Sequence, residues 1–367
     1  MRIDYKEKVA LGRTGVKVRR LVFGTSGFGG FLRLREWDEV LAVSRALVCR
    51  FGPGITWDTA NMYGAGIALE QTGKLIRELG IHDTSEVINK PGWVIIDPPL
   101  GVPIDVFEPG LWRGLTKTIR YAQTREQMRM SIDQAIHLLG PGVKAPLCSA
   151  HDFHKLERMI ARTPYLFLGD RLLTTDVNVL IYEQLLPALV EKRSEGVIRG
   201  VGLGMMDWRL MREIITNSGV IDYVMLANEF SILRHPPDLL DFIDWLRERG
   251  IGLICAAPYH AAWIFGATEK IDGLTDPTPE QMQWRTKFLR VCSETGVEPA
   301  AVAVQFIFSN PCVDAVAPGS ARVKHIDRNF PQTASGRDFV IPGEVWERLI
   351  AEEVIRKDYR YMDQLSA

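Results

Sequence analysis

Eight short apolar runs recur along the chain, LVFGT, GITWDT, EVINK, APLCSAH, GVGLG, DYVMLANE, GLICAAP and VDAVAPG. Each ends in a polar or glycine-containing loop and is followed by a segment with helical character. The runs are continuously hydrophobic rather than alternating, as strands buried on both faces require. Eight is the number that closes a parallel α/β barrel, and a chain of 367 residues is within the range in which such a barrel folds as one unit. The predicted fold is therefore a (β/α)8 barrel, with residues 1–367 forming one domain.

The segments between the runs carry helix signals. Met128, Ile132, Ile136 and Leu139 form one stripe over 125–139 before Gly140, and a helix over 237–249 starts on a proline and stops at Gly250. Asp207 is placed to cap a helix carrying Leu210, Met211, Ile214 and Ile215. Two β-prone pieces around Gly12–Gly15 predict an N-terminal hairpin, read as a lid ahead of the main fold. Two long insertions, 91–124 and 258–280, follow the third and seventh runs, on the face where barrels of this kind carry their sites. The tail after Ile341 predicts an amphipathic helix that covers the pocket or meets a partner.

Charge excludes some functions. Lys and Arg number 44 against 45 Asp and Glu, so no global field favours nucleic acid or an anionic membrane. No stretch has the length and apolarity of a signal peptide or a membrane span, which predicts a cytoplasmic protein. The five cysteines, Cys49, Cys148, Cys255, Cys292 and Cys312, are odd in number and scattered, as buried thiols in a reducing compartment would be.

Four polar residues lie at the exits of successive runs. Asp58 and Tyr63 follow the second, Lys90 closes the third and His151 closes the fourth. Singly each has an ordinary explanation, since a strand-end Asp often caps a helix, a Tyr often packs and a Lys often seeks solvent. Together they suit proton transfer. A phenol has an unperturbed pKa near 10, a neighbouring ammonium at Lys90 would lower it, and Asp58 would hold that ammonium in place. His151 would orient a substrate oxygen. Cys148, His151 and His154 also raise a metal site, but alternate strand residues face opposite ways and no acidic partner has suitable spacing, so no metal is expected.

WDTANMYG, VINKPGW and SAHD together resemble the Asp, Tyr, Lys and His tetrad of the aldo-keto reductase superfamily, and LGRTGVKVRRLVFGTS, EGVIRGVGLGM and PGSARVKHIDRN resemble it in the same order. The resemblance implies a barrel oxidoreductase using NAD(P)(H), with Tyr63 as general acid/base. GTSGFGG is not a dinucleotide fingerprint, because the βαβ unit and its acidic residue are lacking. The resemblance places Gly24 and Thr25 near the nicotinamide, and Gly319, Ser320, Arg322 and Asn329 around the adenosine half. Arg322, with Lys324 near it, would suit a 2′-phosphate, which favours NADP over NAD.

This sequence departs from the superfamily at the nicotinamide. Gly204 and Met205 stand where many members have Ser-Asn, Ala227 beside Asn228 where many have Gln, and Ala256, followed by Pro258, where a stacking Tyr is usual. Asn228 and Tyr259 are candidate replacement partners. These departures, with FEPGLW in the first insertion, resemble the branch of D-threo-aldose, L-fucose and galactose 1-dehydrogenases, whose chemistry takes hydride from a sugar C1 to leave a lactone. Phe28, Trp93, Trp112, Tyr259, His260 and Trp263 are substrate-pocket candidates, since aromatic faces pack against sugar C–H groups. His137 and His235 are expected to be structural or surface residues. A reductase of another aldehyde or ketone, a non-enzymatic NADP-binding sensor or auxiliary subunit, and a lyase or isomerase are the competing readings.

Overall fold

The eight predicted runs form eight parallel strands. In chain order they are β3 (Val22–Gly24), β4 (Thr56–Ala60), β5 (Glu86–Lys90), β8 (Leu147–His151), β9 (Gly200–Met205), β10 (Tyr223–Ala227), β11 (Gly252–Ala256) and β12 (Ala315–Ala317). Each pairs with the next in register, for example Gly24 with Asp58 and Asp58 with Ile88. The seam between β12 and β3 is closed by parallel bridges from Leu21 to Val316 and from Gly24 to Gly319. The structure, a computed structural model, describes residues 3–98, 100–101, 104, 106, 110–153, 176–273, 275–320, 322–331 and 338–365.

The helices surround the strands. Trp37–Phe51, Ile67–Glu78, Arg125–Leu139, Leu186–Ser194, Trp208–Ser218, Pro237–Glu248 and Pro279–Thr295 each turn an apolar stripe inward. The expected stops hold: Asp207 accepts from the Leu210 N–H at 3.0 Å, and Gly219 closes that helix in the left-handed conformation. The helix over Arg125–Leu139 is capped by Thr124 and buries Met128, Ile132 and Leu139.

The N-terminal hairpin, β1 (Lys8–Ala10) with β2 (Lys17–Arg19), forms as expected but does not act as a lid over the site. Leu11, Val16 and Val18 join Val22, Ile88, Leu147, Tyr223 and Ile254 in one interior cluster, so the hairpin plugs the end where the strands begin. A Cβ added to Gly12 would come to 2.1 Å from the Asp222 carbonyl oxygen, just ahead of β10. The open lower end of the barrel exposes apolar side chains, and the hairpin covers them.

The GVGLG run explains how the interior is filled. Cβ atoms at Gly200, Gly202 and Gly204 would meet Thr14 of the plug at 2.5 Å, the Tyr223 ring at 2.6 Å and the Lys90 Cδ at 3.0 Å. These three glycines of β9 leave the volume that a plug residue, a core ring and a site lysine occupy, from floor to mouth.

The first insertion contains an antiparallel pair, β6 (Trp93–Ile96) with β7 (Thr118–Tyr121). Part of FEPGLW, residues 107–109, lies outside the described residues, as does His154. The tail helix, Gly343–Ala351, buries Val345, Trp346 and Leu349 on the helix Pro279–Thr295, where the Trp284 indole donates to the Val354 carbonyl at 2.9 Å. It therefore docks on the outer helices. Among the described residues no helix is long and apolar enough to cross a membrane.

Candidate active site

Strand direction brings the four polar residues to one mouth. Asp58 and Lys90 are 4% and 3% exposed and form a direct ion pair between neighbouring strands β4 and β5. Two charges this deep need each other, since either alone would carry an uncompensated desolvation penalty. Burial pushes the Asp58 carboxyl up and the Lys90 ammonium down, and each partner opposes the other's shift. The Asp58 carbonyl accepts from both the backbone N–H and the hydroxyl of Thr25, each at 2.9 Å, which fixes the exit of β3 against the pair.

Tyr63 is partly buried beside this pair. The Lys90 Nζ stands 4.8 Å from its ring centroid, the His151 ring meets it edge-on at 5.9 Å, and Trp112 stacks on it at 5.7 Å. The loop carrying Tyr63 approaches the GFGG loop closely: a Cβ on Gly64 would come to 2.1 Å from the Gly29 carbonyl oxygen, and Gly64 has φ +65°. His151 is 5% exposed, and its backbone N–H donates to the Pro91 carbonyl at 3.1 Å. Gly204 accepts from the Asp152 N–H at 3.1 Å, tying the exit of β9 to that of β8.

One electrostatic expectation is reversed. Burial first, then the Asp58 and Asp152 carboxylates, raise the Tyr63 phenol well above its ordinary value. Lys90 does not lower it because its charge is matched by Asp58, so the pair presents little net positive field, and the ammonium lies over the ring face. Tyr63 is thus a protonated phenol, a donor rather than a ready base.

The nicotinamide candidates border the same mouth. Gly24 and Gly319 face each other across the barrel seam, with 3.3 Å between a Cβ built on Gly319 and the Gly24 carbonyl oxygen. Gly204 and Met205 are buried at the end of β9. Asn228 follows β10 with φ +60°, its backbone N–H donating to Ala256, and its Oδ1 is buried without a partner among the described residues. Ala256 and Pro258 follow on β11 and its loop, and the Ala257 N–H donates to Ala317 at 3.2 Å. Such an orphaned acceptor fits a ligand carrying an amide N–H.

On the far side of the seam, Ser320 accepts from the Arg322 N–H at 3.5 Å, and Arg322 opens a short helix ending at Asn329. Asn329 is buried, with Oδ1 unpartnered among the described residues. Sequence reasoning missed Arg35, in the loop after β3. Its side chain is 10% exposed, its Nε and Nη1 lack hydrogen-bond partners among the described residues, and Glu39 is 3.9 Å away. Burial and the positive charges of Arg33 and Arg322 push its guanidinium down against the opposing pull of Glu39, and burial first, then Arg328, Arg322, Lys324 and Arg35, lowers His325. No motif marks Arg35, because nothing local in FLRLRE says which of its two arginines folding will bury.

The pocket candidates separate. Trp112, 5% exposed, reaches Tyr63 and meets Phe31 edge-on at 5.3 Å. Phe28 is buried on Phe23 at 5.8 Å, and Trp93 is fully buried against Tyr121 at 4.8 Å, so neither offers an open wall. Tyr259 packs on Phe265 with its hydroxyl unpartnered among the described residues, and Trp263 is fully buried under the Arg285 guanidinium. His260 is completely buried between Ser231 and Asp272. Cys148 is a core thiol pushed up to about 12 by burial, and among the described residues no group of three or more His, Cys, Asp or Glu gathers to hold a metal. All five cysteines are free thiols.

Residues 20–335 match the Aldo/keto reductase family. The chain is 26% identical to pyridoxal 4-dehydrogenase of Microbacterium luteolum, covering 97% of this chain and 100% of that protein. It is 22% identical to D-threo-aldose 1-dehydrogenase of a Pseudomonas species (94% and 97% covered) and 22% identical to L-galactose dehydrogenase of Arabidopsis thaliana (87% and 86%). Among solved structures, an aldo-keto reductase from Bacillus halodurans in its holo form superposes with a TM-score of 0.62 at 16% identity, covering 96% of this chain and 99% of that one. A glycerol dehydrogenase from Gluconobacter oxydans gives 0.62 at 14% identity, covering 96% and 98%.

Proposed function

This chain belongs to the aldo/keto reductase family and is an NAD(P)-dependent oxidoreductase, and we propose that its substrate is a cyclic hemiacetal, an aldose at C1 foremost, oxidised to a lactone. The observation that carries the oxidoreductase chemistry is the buried Asp58–Lys90 pair beside a protonated Tyr63, with His151 edge-on to the same ring, a site that serves any carbonyl or alcohol. The names of the three relatives support the hemiacetal. Pyridoxal and the two sugars each carry an aldehyde with a hydroxyl placed to close a ring upon it.

Gly24, Thr25, Gly204, Met205, Asn228, Ala256 and Pro258 would hold the nicotinamide end of the cofactor, the Asn228 Oδ1 accepting from its carboxamide. Gly319, Ser320, Arg322 and Asn329 would hold the adenosine end. Arg322 and Lys324, with Arg35 whose Nε has no hydrogen-bond partner among the described residues, favour NADP, since cationic side chains with unused N–H donors suit a phosphate. Bound there, the nicotinamide accepts or supplies the hydride.

The residues move the proton. On oxidation the substrate hydroxyl gives its proton to Tyr63 as tyrosinate while the C–H bond to that carbon supplies the hydride, leaving a C=O. On reduction the phenol returns the proton. Lys90, held by Asp58, keeps a cation at the ring face, and His151 orients the reacting oxygen with Trp112 as the apolar wall. Because the phenol is held protonated, reduction of an aldehyde suits neutral pH and oxidation suits alkaline pH.

The test is the near-ultraviolet absorbance of reduced nicotinamide when the protein meets NAD⁺ or NADP⁺ with aldoses and pyridoxal. Growth with one hemiacetal identifies cofactor and substrate together. No change with any of them, but oxidation of NADPH by simple carbonyls, refutes the hemiacetal reading. Tyr63→Phe should abolish turnover while leaving cofactor affinity nearly unchanged; comparable activity would remove Tyr63 from its role.

A further inference from the structure

A closed polar ring lies outside the tetrad. The Ser231 hydroxyl and the His260 Nε2 are 2.8 Å apart, and the His260 Nδ1 is 2.9 Å from the Asp272 carboxylate. The Asp272 Oδ2 is 3.9 Å from the Arg234 guanidinium, and the Arg234 backbone N–H donates to the Ser231 Oγ at 3.2 Å. One set of protons satisfies it all: Nδ1–H donates to Asp272, Nε2 accepts from the Ser231 hydroxyl, and Ser231 accepts from Arg234. The order Ser, His, Asp is that of a hydrolytic relay. Ser231 and His260 are only 1% and 0% exposed, however, so no ester or peptide carbonyl reaches the hydroxyl.

What the ring joins is two site loops. Ser231 and Arg234 belong to the loop after β10, which opens with Asn228; His260 and Asp272 belong to the loop after β11. The Arg234 guanidinium also donates to the Asn228 carbonyl at 3.1 Å, and the Asp272 N–H donates to the His260 carbonyl at 3.3 Å. Beside Asp272, a Cβ built on Gly273 would sit 3.5 Å from the Phe31 ring, and Phe31 leads through Trp112 to Tyr63. Both loops are strained: Asn228, Ala257, His260, Ala261, Ala262 and Asp272 have φ between +50° and +68° without being glycine. Such conformations persist only where the surroundings over-determine them.

We propose that the Ser231–His260–Asp272–Arg234 ring is a clamp that locks the loop after β11 to the loop after β10 and thereby aims the Asn228 amide at the bound nicotinamide. Its members are positioning residues, and the Asn228 part of the proposal rests on the cofactor reading above. An Asn side chain on a left-handed turn has many rotamers open to it. Anchoring the Asn228 backbone carbonyl through Arg234 fixes the main chain from which that side chain departs before the ligand arrives.

The test compares His260→Gln with wild type in two measurements. Amide hydrogen exchange over 257–273 should be faster by at least about tenfold in the variant, with no nucleotide present. NADPH affinity, read by quenching of tryptophan fluorescence, should weaken by about tenfold while kcat at saturating cofactor falls by less than about threefold. Asp272→Asn, which keeps the volume, carries the same test if His260→Gln fails to fold. Lys192→Met, which breaks the ion pair with Asp133 between the helices Leu186–Ser194 and Arg125–Leu139, is the control for general destabilisation and should move neither reading. Unchanged exchange in the ring variants overturns the clamp. Faster exchange with unchanged NADPH affinity, in a wild type that binds NADPH, overturns the aiming of Asn228. A wild type that binds neither NADPH nor NADH refutes the cofactor reading itself and the Asn228 role with it, while the exchange result stands alone.

Discussion

Asp58→Asn removes one charge from the buried pair without changing its shape, so the loss is electrostatic and not a cavity. Asp58 and Lys90 are 4% and 3% exposed and in direct contact, and breaking such a pair by removing one partner costs about 3–5 kcal/mol. The variant leaves Lys90 buried with no counter-charge, and burial already drives its ammonium down. In the folded variant Lys90 therefore loses its proton at a lower pH than in the unfolded chain. Across that window the unfolded state binds more protons, so the variant's stability rises with pH. Urea unfolding followed by tryptophan fluorescence should show the largest deficit near about pH 6 and a smaller one near about pH 9. Adding Lys90→Met should recover at least about half of the loss, because no buried charge then remains. A deficit below about 1 kcal/mol, independent of pH and additive with Lys90→Met to within about 0.5 kcal/mol, would refute the buried pair as described.

Gly202→Ala places a Cβ 2.6–2.8 Å from three atoms of the Tyr223 ring, which the core holds on all sides; a loss of about 1–3 kcal/mol is expected in the same urea assay, and a neutral outcome would mean the ring moves freely. His235, lowered to about 4 by burial, accepts from the Arg356 N–H at 3.1 Å and so must stay neutral. Between about pH 4 and 6.5 the unfolded chain holds a proton that the folded one does not, so stability should climb through that window by roughly 3 kcal/mol. Replacing His235 with Phe should flatten the climb, and an unflattened curve would assign it to other groups. Because burial and two carboxylates raise the Tyr63 phenol, oxidative turnover should grow steadily into alkaline pH while reductive turnover does not; a plateau of oxidation from neutral pH would show that the phenol ionises far more easily.

The polar tetrad was legible because Asp58, Lys90 and His151 lie in the exit halves of runs whose apolarity already marks them as strands, and Tyr63 lies in the loop just after the second. Asp58, Lys90 and His151 needed only the rule that parallel strands present their exits on one face. Helix bounds such as Arg125–Leu139, and the cap at Asp207, were legible for the same reason: periodicity and capping act between residues a few positions apart. Arg35 was not legible, since only folding brings its loop within the field of Arg322 across the β3–β12 seam.

The order of apolar runs and polar exits thus determined the barrel and the residues at its mouth, because short-range pattern decides which side chains must be buried. Tertiary structure decided the rest. It turned the hairpin into a floor, since only the closed barrel has an open lower end to cover. It assigned the three glycines of β9 to the volumes of Thr14, Tyr223 and Lys90. It also reversed the expected shift at Tyr63: the field at a phenol is a sum over burial and every nearby charge, and the carboxylate that holds Lys90 in place also cancels its pull.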